Sequence, residues 1–191
     1  MALVVQISSF EELQEIIENS GKEYDREKIE AAYRLAEEKH REQKRSSGEP
    51  YIIHPLSVAA ILVGLGMDSE SVMAGLLREV ALLIDGVTKL GKIPYSSREE
   101  QQAENLRKML MAMAEDIRVI IIKFADRMHN LSTLEYMSPQ KQRDKAVECL
   151  EVYAPIAHRL GIRTVKEYME DISLKYLDPL AYQEIENDHS S

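Results

Sequence analysis

Hydrophobic residues recur at three- and four-residue intervals along most of this chain, the spacing that places them on one face of an α-helix. The pattern is clear in "FEELQEIIEN", in "HPLSVAAILVGLG" and in "DIRVIIIKFADRMHNLSTL". Ser9 and Glu12 have the spacing of a capping box, and Asp25 stands where it can cap the next helix. The sequence contains no alternating pattern of useful strand length and no internal repeat. We therefore predict an all-α fold, one compact multi-helix domain.

Polar segments and prolines separate the predicted helices. The segment "REQKRSSGEP" predicts a loop, and Pro55 is tolerated in the first turn of the helix that follows. "DSESVMAGLL" begins another helix, and "VALLIDGVTKLGKI" is apolar enough for a buried helix, although its Val and Ile leave a strand possible. Ser97 with Glu100 predicts a second capping box, and further helices are expected after Ser138 and Asp178. A methionine-rich stripe is expected in the core: Leu106, Met109, Leu110 and Met113.

The composition excludes several classes of protein. Of the 191 residues, 45% are hydrophobic and 30% are charged, which is typical of a folded soluble domain and not of a disordered chain. No apolar run reaches the length of a transmembrane helix, so no membrane association is expected. The formal net charge of -9 argues against broad nucleic-acid binding, which needs a basic face. Cys149 is the only cysteine, so the chain has no internal disulfide and suits the reducing cytoplasm.

The segment "FADRMHN" places polar groups where an apolar helix would otherwise continue. On a helix, residues three, four and seven apart share a face, so this segment presents one polar stripe. Buried polar groups must find partners. Two interpretations follow from the residues alone: a hydrogen-bonded helix end with a structural histidine, or a site for a metal ion or a phosphate group. The members of the stripe are Asp126, His129, Asn130 and Thr133.

A second polar cluster lies earlier in the chain. Lys44 and Arg45 stand beside a Ser-Ser-Gly loop whose backbone N–H groups can receive an oxyanion, and an arginine can also stack on a purine. A basic loop is more often simply exposed to solvent. A histidine at the start of a helix, such as His54, is more often a surface or capping residue than a metal ligand. Together, however, His54 and Asp126 are the ligand types that a divalent ion takes in a helical bundle.

Four blocks of this sequence resemble the N-terminal hydrolase domain of the RelA/SpoT homologue family. They are "GEPYIIHPLSVAAIL", "DGVTKLGKI", "IIKFADRMHNLSTLEYM" and "YAPIAHRLGI", and the similarity runs from about Tyr24 to Leu180. The resemblance implies an all-helical fold of the HD superfamily of metal-dependent phosphohydrolases. It also implies removal of the 3′ pyrophosphate from (p)ppGpp in the stringent response, usually with Mn²⁺.

The resemblance assigns roles to particular residues. His54 matches the first metal-binding histidine of the family, and Asp126 matches its last metal ligand. Asn130 and Thr133 match residues that line the nucleotide pocket, and Arg45 matches the basic residue that packs against the guanine. We interpret His129 as structural. A divalent ion held by imidazole and carboxylate could activate water and offset the charge of the substrate.

The chain departs from the family pattern at one place. The family has a His-Asp pair after an apolar helix, "LLHD", which supplies two metal ligands, and soon after it a Glu-Asp pair thought to help activate water. Here the chain reads "AGLLREVALLIDGVTKL". Either Arg78 and Glu79 replace the His-Asp pair, or a segment is missing between Leu77 and Arg78. We favour the missing segment, because it needs a single event.

Two functions are therefore expected. The first is (p)ppGpp hydrolysis, and the alternative is an inactive pseudo-hydrolase with a regulatory or nucleotide-binding role. We place the hydrolase domain at residues 1–180. Residues 181–191 are expected to be a tail towards a synthetase domain that this chain does not contain, in the manner of the longer members of the family.

Overall fold

A computed structural model of the chain describes residues 6–88, 107, 111 and 113–183. Within these residues the fold is helical and has no strand; an isolated bridge joins Lys44 and Pro50. The all-α prediction is confirmed. The helices are α1 Phe10–Asn19, α2 Arg26–His40, α3 Ile53–Gly64, α4 Ser69–Thr88, α5 Arg118–Ser132, α6 Pro139–Glu148, α7 Ala154–Arg159 and α8 Arg163–Leu177. A 3₁₀ turn spans Leu134–Tyr136 and a π-helical segment spans Cys149–Tyr153.

Local sequence signals start the first two helices as predicted. The Ser9 side chain accepts a hydrogen bond from the backbone N–H of Glu12 at 3.3 Å, which satisfies one of the free donors at the start of α1. Asp25 accepts from the backbone N–H of Lys28 at 3.2 Å at the start of α2. Gly21 has φ +68° between the two helices, a conformation that glycine adopts without strain.

Helix α4 runs without a break through Leu77 and Arg78. The segment "DSESVMAGLL" and the first part of "VALLIDGVTKLGKI" therefore belong to one helix. It packs closely on α3, because Gly75 has no side chain: a Cβ atom there would lie 2.6 Å from Cδ1 of Leu62. The helix expected at "VALLIDGVTKLGKI" is confirmed as far as Thr88. A small residue in the middle of α4 therefore sets the distance between α3 and α4.

Some predictions lie outside the described residues. Among them are the capping box of Ser97 and Glu100 and three members of the methionine-rich stripe. Its fourth member, Met113, is partly buried against the core, as expected. Residues 179–183 are helical after Asp178, as predicted. The members of the stripe that fall outside are Leu106, Met109 and Leu110.

The core lies around α3 and α5. Every residue of α3 from Ile53 to Val63 is buried, and α3 packs against α1, α4 and α5. Helix α5 buries Ile120, the run from Phe124 to His129, and Leu131, and it also packs on α8. Among the described residues, no helix combines the length and the apolar character needed to cross a membrane. The contact between α3 and α5 brings the two polar clusters of the sequence together.

Candidate functional site

Helices α3 and α5 bring His54 and Asp126 into direct contact. The Nε2 atom of His54 lies 3.1 Å from Oδ1 of Asp126, across 72 residues of sequence. Both residues are buried, with relative exposures of 5% and 4%. His54 stands in the first turn of α3, and Asp126 stands in the middle of α5, within its run of buried residues. The two candidate ligands predicted from the sequence therefore meet in the structure.

Positive and polar groups surround the carboxylate of Asp126. Arg78 Nη1 lies 2.8 Å from Oδ1, and Asn130 Nδ2 donates to the same oxygen at 3.2 Å. Lys123 Nζ lies 3.5 Å from Oδ2. Burial by itself would raise the pKa of Asp126, but the hydrogen bond with His54 and the charges of Arg78 and Lys123 hold the pKa well below its usual range. Asp126 is therefore ionised at neutral pH.

His129 connects the two polar clusters. Burial, together with the neighbouring His54 and Arg45, lowers the pKa of His129 to about 3, so the ring is neutral at pH 7. An arginine can only donate, so His129 Nδ1 accepts from Arg45 Nη1 at 3.0 Å, and His54 Nδ1 lies 2.8 Å from the same nitrogen. The proton of the neutral ring then sits on Nε2, which is buried and has no hydrogen-bond partner among the residues that the structure describes. His129 thus orients Arg45 and His54, in line with its interpretation as structural.

The loop before α3 directs Arg45 towards α5. The backbone N–H of Arg45 donates to the carbonyl of Glu49, and the N–H of Gly48 donates to the carbonyl of Arg45, both at 2.9 Å. Gly48 has φ +90°, which closes this turn. Arg45 Nη2 then donates to Oγ1 of Thr133 at 2.9 Å. This hydrogen bond therefore links the loop that carries Arg45 to Thr133, which stands at the end of the helix that carries Asp126.

A cavity of about 290 Å³ opens beside Asp126. Of the residues predicted for the site, His54, Asp126 and Asn130 line it, whereas Arg45 and Thr133 do not. Their roles in binding a nucleotide remain predictions. The full lining comprises Tyr51, His54, Arg78, Lys123, Asp126, Arg127, Asn130, Leu131, Leu134, Met137 and Lys145.

Most of the cations around this cavity are not predicted from the sequence. The sequence presents Arg78 only as a replacement for a family residue, whereas Lys123 precedes Asp126 by one helical turn, a spacing that could have predicted it. Arg127 is buried at 7% exposure and donates to Glu148 Oε1 and to Tyr153 Oη, both at 3.1 Å. Glu148 directly precedes the π-helical segment, and Tyr153 is its last residue. Because both lie far from Arg127 along the chain, no short-range sequence pattern could have connected them with it.

The described residues do not complete a site for a divalent metal ion. His54 and Asp126 are two ligands of suitable type, but no group of three or more His, Cys, Asp or Glu side chains occurs in the part of the chain that the structure describes. Asp126, moreover, is paired with Arg78 at 2.8 Å, and a divalent ion would have to displace or tolerate that guanidinium. Two protein ligands beside a fixed positive charge hold a divalent ion poorly.

Comparison with known families finds the HD domain. The family model for the HD domain matches residues 32–81 and 78–163, more than half of the chain. A guanosine-3′,5′-bis(diphosphate) 3′-pyrophosphohydrolase of Aquifex aeolicus is 43% identical over 206 residues, covering 98% of this chain and 29% of that protein. The bifunctional (p)ppGpp synthase/hydrolase SpoT of Escherichia coli is 43% identical over 195 residues, covering 92% of the chain and 28% of the relative.

A third relative carries a different name. A GTP pyrophosphokinase of Streptomyces coelicolor is 49% identical over 176 residues, which cover 82% of this chain and 20% of that protein. The chain thus spans between a fifth and less than a third of the length of these curated relatives.

The comparisons also bear on the interruption at Leu77 and Arg78. The 206 aligned positions of the Aquifex protein outnumber the 191 residues of this chain, so that relative carries residues with no counterpart here. The match to the family model is in two parts that meet at residues 78–81. The first observation does not say where the additional residues lie, and the second places an interruption of the family match near Leu77 and Arg78. The missing segment stays a prediction.

Proposed function

Because the chain belongs to the HD domain family, and within it to the RelA/SpoT homologues, we propose that it is the (p)ppGpp-hydrolysing domain of its protein. The reaction would remove the 3′ pyrophosphate to give GDP or GTP, as part of the stringent response. The domain would occupy residues 1–180, with residues 181–191 leading towards a synthetase domain. (p)ppGpp is the proposed small-molecule partner, nucleic acid is not, and the cytoplasm is the proposed location.

One observation carries this proposal. His54 and Asp126 come from distant parts of the sequence, yet they lie 3.1 Å apart and line the same cavity as Asn130. In the family these positions serve metal and nucleotide, and no purely structural requirement calls for a buried carboxylate and a buried imidazole at one cavity. Arg45 and Thr133, hydrogen-bonded to each other at 2.9 Å, are the proposed nucleotide contacts beside that cavity.

Membership in the HD family implies dependence on a divalent metal ion, and Mn²⁺ is the ion we propose. His54 and Asp126 would be its ligands from the described residues. Because these two residues do not complete a site, we assign no chemical step to the ion. The residues of this chain have a more limited proposed task, which is to bind and orient the nucleotide.

A second candidate function is nucleotide binding without hydrolysis, in a regulatory role. The specific observation that favours it is the ion pair of Arg78 and Asp126 at 2.8 Å, because it places a guanidinium on the carboxylate that would bind the metal. The departure at Leu77 and Arg78, where the family has its His-Asp pair, points in the same direction.

Pyrophosphate release from ppGpp with Mn²⁺ distinguishes the two functions. A hydrolase releases pyrophosphate, and Asp126→Asn abolishes that release while the helix content stays unchanged. The matched control is Asp171→Asn, which alters an exposed aspartate on α8. If no divalent ion supports turnover but ppGpp raises the melting temperature, the second candidate is correct. Full activity of Asp126→Asn would overturn the site assignment itself.

A further inference from the structure

A buried arginine links the π-helical segment to the cavity beside Asp126. We infer that Arg127 is held in a clamp by Glu148 and Tyr153. This arginine clamp fixes the rotation of α5 about its axis and so directs Asp126 towards His54. Arg127 is thus a positioning residue, because it acts through its neighbour on α5. The use of Asp126 rests on the proposed function, whereas the geometry of the arginine clamp does not depend on hydrolysis.

The backbone between α6 and α7 has the widened turn of a π-helix. The N–H of Ala154 donates to the carbonyl of Cys149, five residues earlier, which is the hydrogen bond of a π-helix. Pro155 follows directly. It has no N–H to donate, and in a regular α-helix its ring would crowd the carbonyl of Glu151. The proline therefore gives a local reason for an irregular turn at this place.

The widened turn decides which side chains share a face of the helix. Glu148 and Tyr153 are five residues apart, and the π-helical segment covers the interval between them. In a regular α-helix, with about 3.6 residues per turn, roughly 140° around the axis would separate them. In a π-helix residues five apart are joined by the backbone hydrogen bond, so they lie nearly one above the other. One guanidinium can then reach both side chains.

Three kinds of contact hold Arg127 in the arginine clamp. Its Nη1 and Nη2 atoms donate to the two carboxylate oxygens of Glu148, at 3.4 Å and 3.1 Å. Nη2 also donates to the hydroxyl of Tyr153 at 3.1 Å, and the guanidinium carbon lies 4.6 Å from the centre of the Tyr153 ring. A guanidinium that pairs with both carboxylate oxygens and rests on an aromatic ring has a fixed orientation.

The arginine clamp and the contact with His54 hold α5 in two different directions. Asp126 and Arg127 are adjacent on α5, so their side chains diverge by about 100° around the helix axis. Asp126 meets His54 of α3 at 3.1 Å, and Arg127 meets Glu148 at the end of α6, also at 3.1 Å. A rotation of α5 that opened the arginine clamp would therefore also move the Asp126 carboxylate away from the His54 ring.

The arginine clamp also forms part of the cavity wall. Arg127 and Lys145 line the cavity together with Asp126, and Lys145 pairs with Glu148 at 3.0 Å. Arg127 is buried, and its charge is paired with the Glu148 carboxylate. The arginine clamp therefore shapes the wall beside Asp126 and is not offered as a contact with a ligand.

The histidine ring signals in ¹⁵N–¹H NMR test the inference, because the chain has five histidines and the Nε2 signal of His54 reports its contact with Asp126. Spectra are recorded in EDTA, so that no metal ion contributes. We expect Tyr153→Phe, which removes one contact of the arginine clamp, to shift the His54 signal. Arg127→Met, which removes all three kinds of contact, should shift it further.

The matched control is Tyr33→Phe, which removes a hydroxyl bonded to Glu37 on α2. It should leave the His54 signal in place. The double variant of Arg127→Met with Tyr153→Phe should give the same shift as Arg127→Met alone, because the tyrosine acts through the arginine. Urea midpoints of all variants show whether the fold is retained.

An unchanged His54 signal in Arg127→Met and Tyr153→Phe, with a lower urea midpoint, would overturn the inference, because the arginine clamp would then serve stability alone. Additive shifts in the double variant would overturn it as well. If Arg127→Met does not fold, Tyr153→Phe decides the question, since it keeps the aromatic ring and the pair of Arg127 with Glu148.

Pyrophosphate release from ppGpp with Mn²⁺ separates this inference from the proposed function. In an active chain, Arg127→Met should lower kcat by about tenfold and leave KM within about twofold, because a displaced Asp126 disturbs the reacting geometry. A matching rise in KM with unchanged kcat would contradict the positioning role. No release by the unmodified chain would contradict hydrolysis, and the His54 signal would still decide whether the arginine clamp positions Asp126.

Discussion

Helices α3 and α5 are both buried in the centre of the fold, yet they are held there by different interactions. Between Ile53 and Val63, α3 buries every residue, and only His54 and Ser57 among them are polar at the side chain. Helix α5 buries Asp126, Arg127 and His129 within about one turn. The hydrophobic effect is therefore sufficient to explain the position of α3, whereas α5 needs partners for each polar side chain.

The comparison shows where a functional site can form in a helical core. The polar groups of α5 take partners from other elements: Arg78 from α4, His54 from α3, and Glu148 from α6. Each partner satisfies a buried group that would otherwise destabilise the fold. The same contacts hold charged side chains at fixed positions beside the cavity. In α5 the buried polar residues that need partners are also residues of the candidate site, whereas in α3 only His54 belongs to that site.

The largest effect is expected from removing apolar contacts in α3. Leu62→Ala should lower the free energy of unfolding by about 3 kcal/mol, because Leu62 is completely buried and its loss leaves a cavity against α4. Urea denaturation measures the change. The control is Leu35→Ala on α2, where the leucine is 41% exposed and about 0.5 kcal/mol or less is expected. Equal losses in the two variants would contradict the central role of α3.

A smaller effect is expected from the buried ion pair of α5. Arg127→Met should lower the free energy of unfolding by about 2 kcal/mol, less than for a fully buried pair, because Glu148 keeps 24% exposure. The double variant Arg127→Met with Glu148→Gln should recover part of that loss, since no unpaired charge remains. If the double variant were as unstable as the sum of its single changes, the pairing would contribute nothing.

The hydrogen bond between Arg45 and Thr133 should contribute less again. Thr133→Val removes the acceptor of Arg45 Nη2 while keeping the shape of the side chain, and about 1 kcal/mol of stability should be lost. Chemical denaturation of Thr133→Val and of Thr164→Val, an exposed threonine on α8, makes the comparison. An unchanged midpoint in the first variant would show that Arg45 finds another acceptor.

The smallest effect is expected at the thiol of Cys149, a buried group that stays neutral. Burial raises the pKa of the Cys149 thiol to about 11, in contrast to the lowered pKa of Asp126, which charged neighbours keep ionised. At pH 8 the thiol is therefore protonated, and a thiol reagent such as Ellman's should react with it only after unfolding in urea. Rapid reaction of the native protein at pH 8 would show that the π-helical segment opens readily.

Part of the candidate site was predictable from the sequence. The spacing of Asp126 and Asn130 places them on one face of a helix, and the structure joins them at 3.2 Å. The contact of His54 with Asp126 was inferred from ligand chemistry and family resemblance, not from spacing. Arg78 could not be recognised as a neighbour of Asp126, because its position depends on how α4 rotates against α5. The link from Arg45 through His129 to His54 likewise joins three elements.

The sequence by itself determined the helices, their caps at Ser9 and Asp25, and the polar stripe of α5, because these depend on residues within one or two turns. Only the tertiary structure decided which groups surround Asp126. The physical reason is that helical periodicity acts over a few residues, whereas the charges that lower the pKa of Asp126 come from three helices. Their meeting depends on close packing of α3 against α4, which the absent side chain of Gly75 permits.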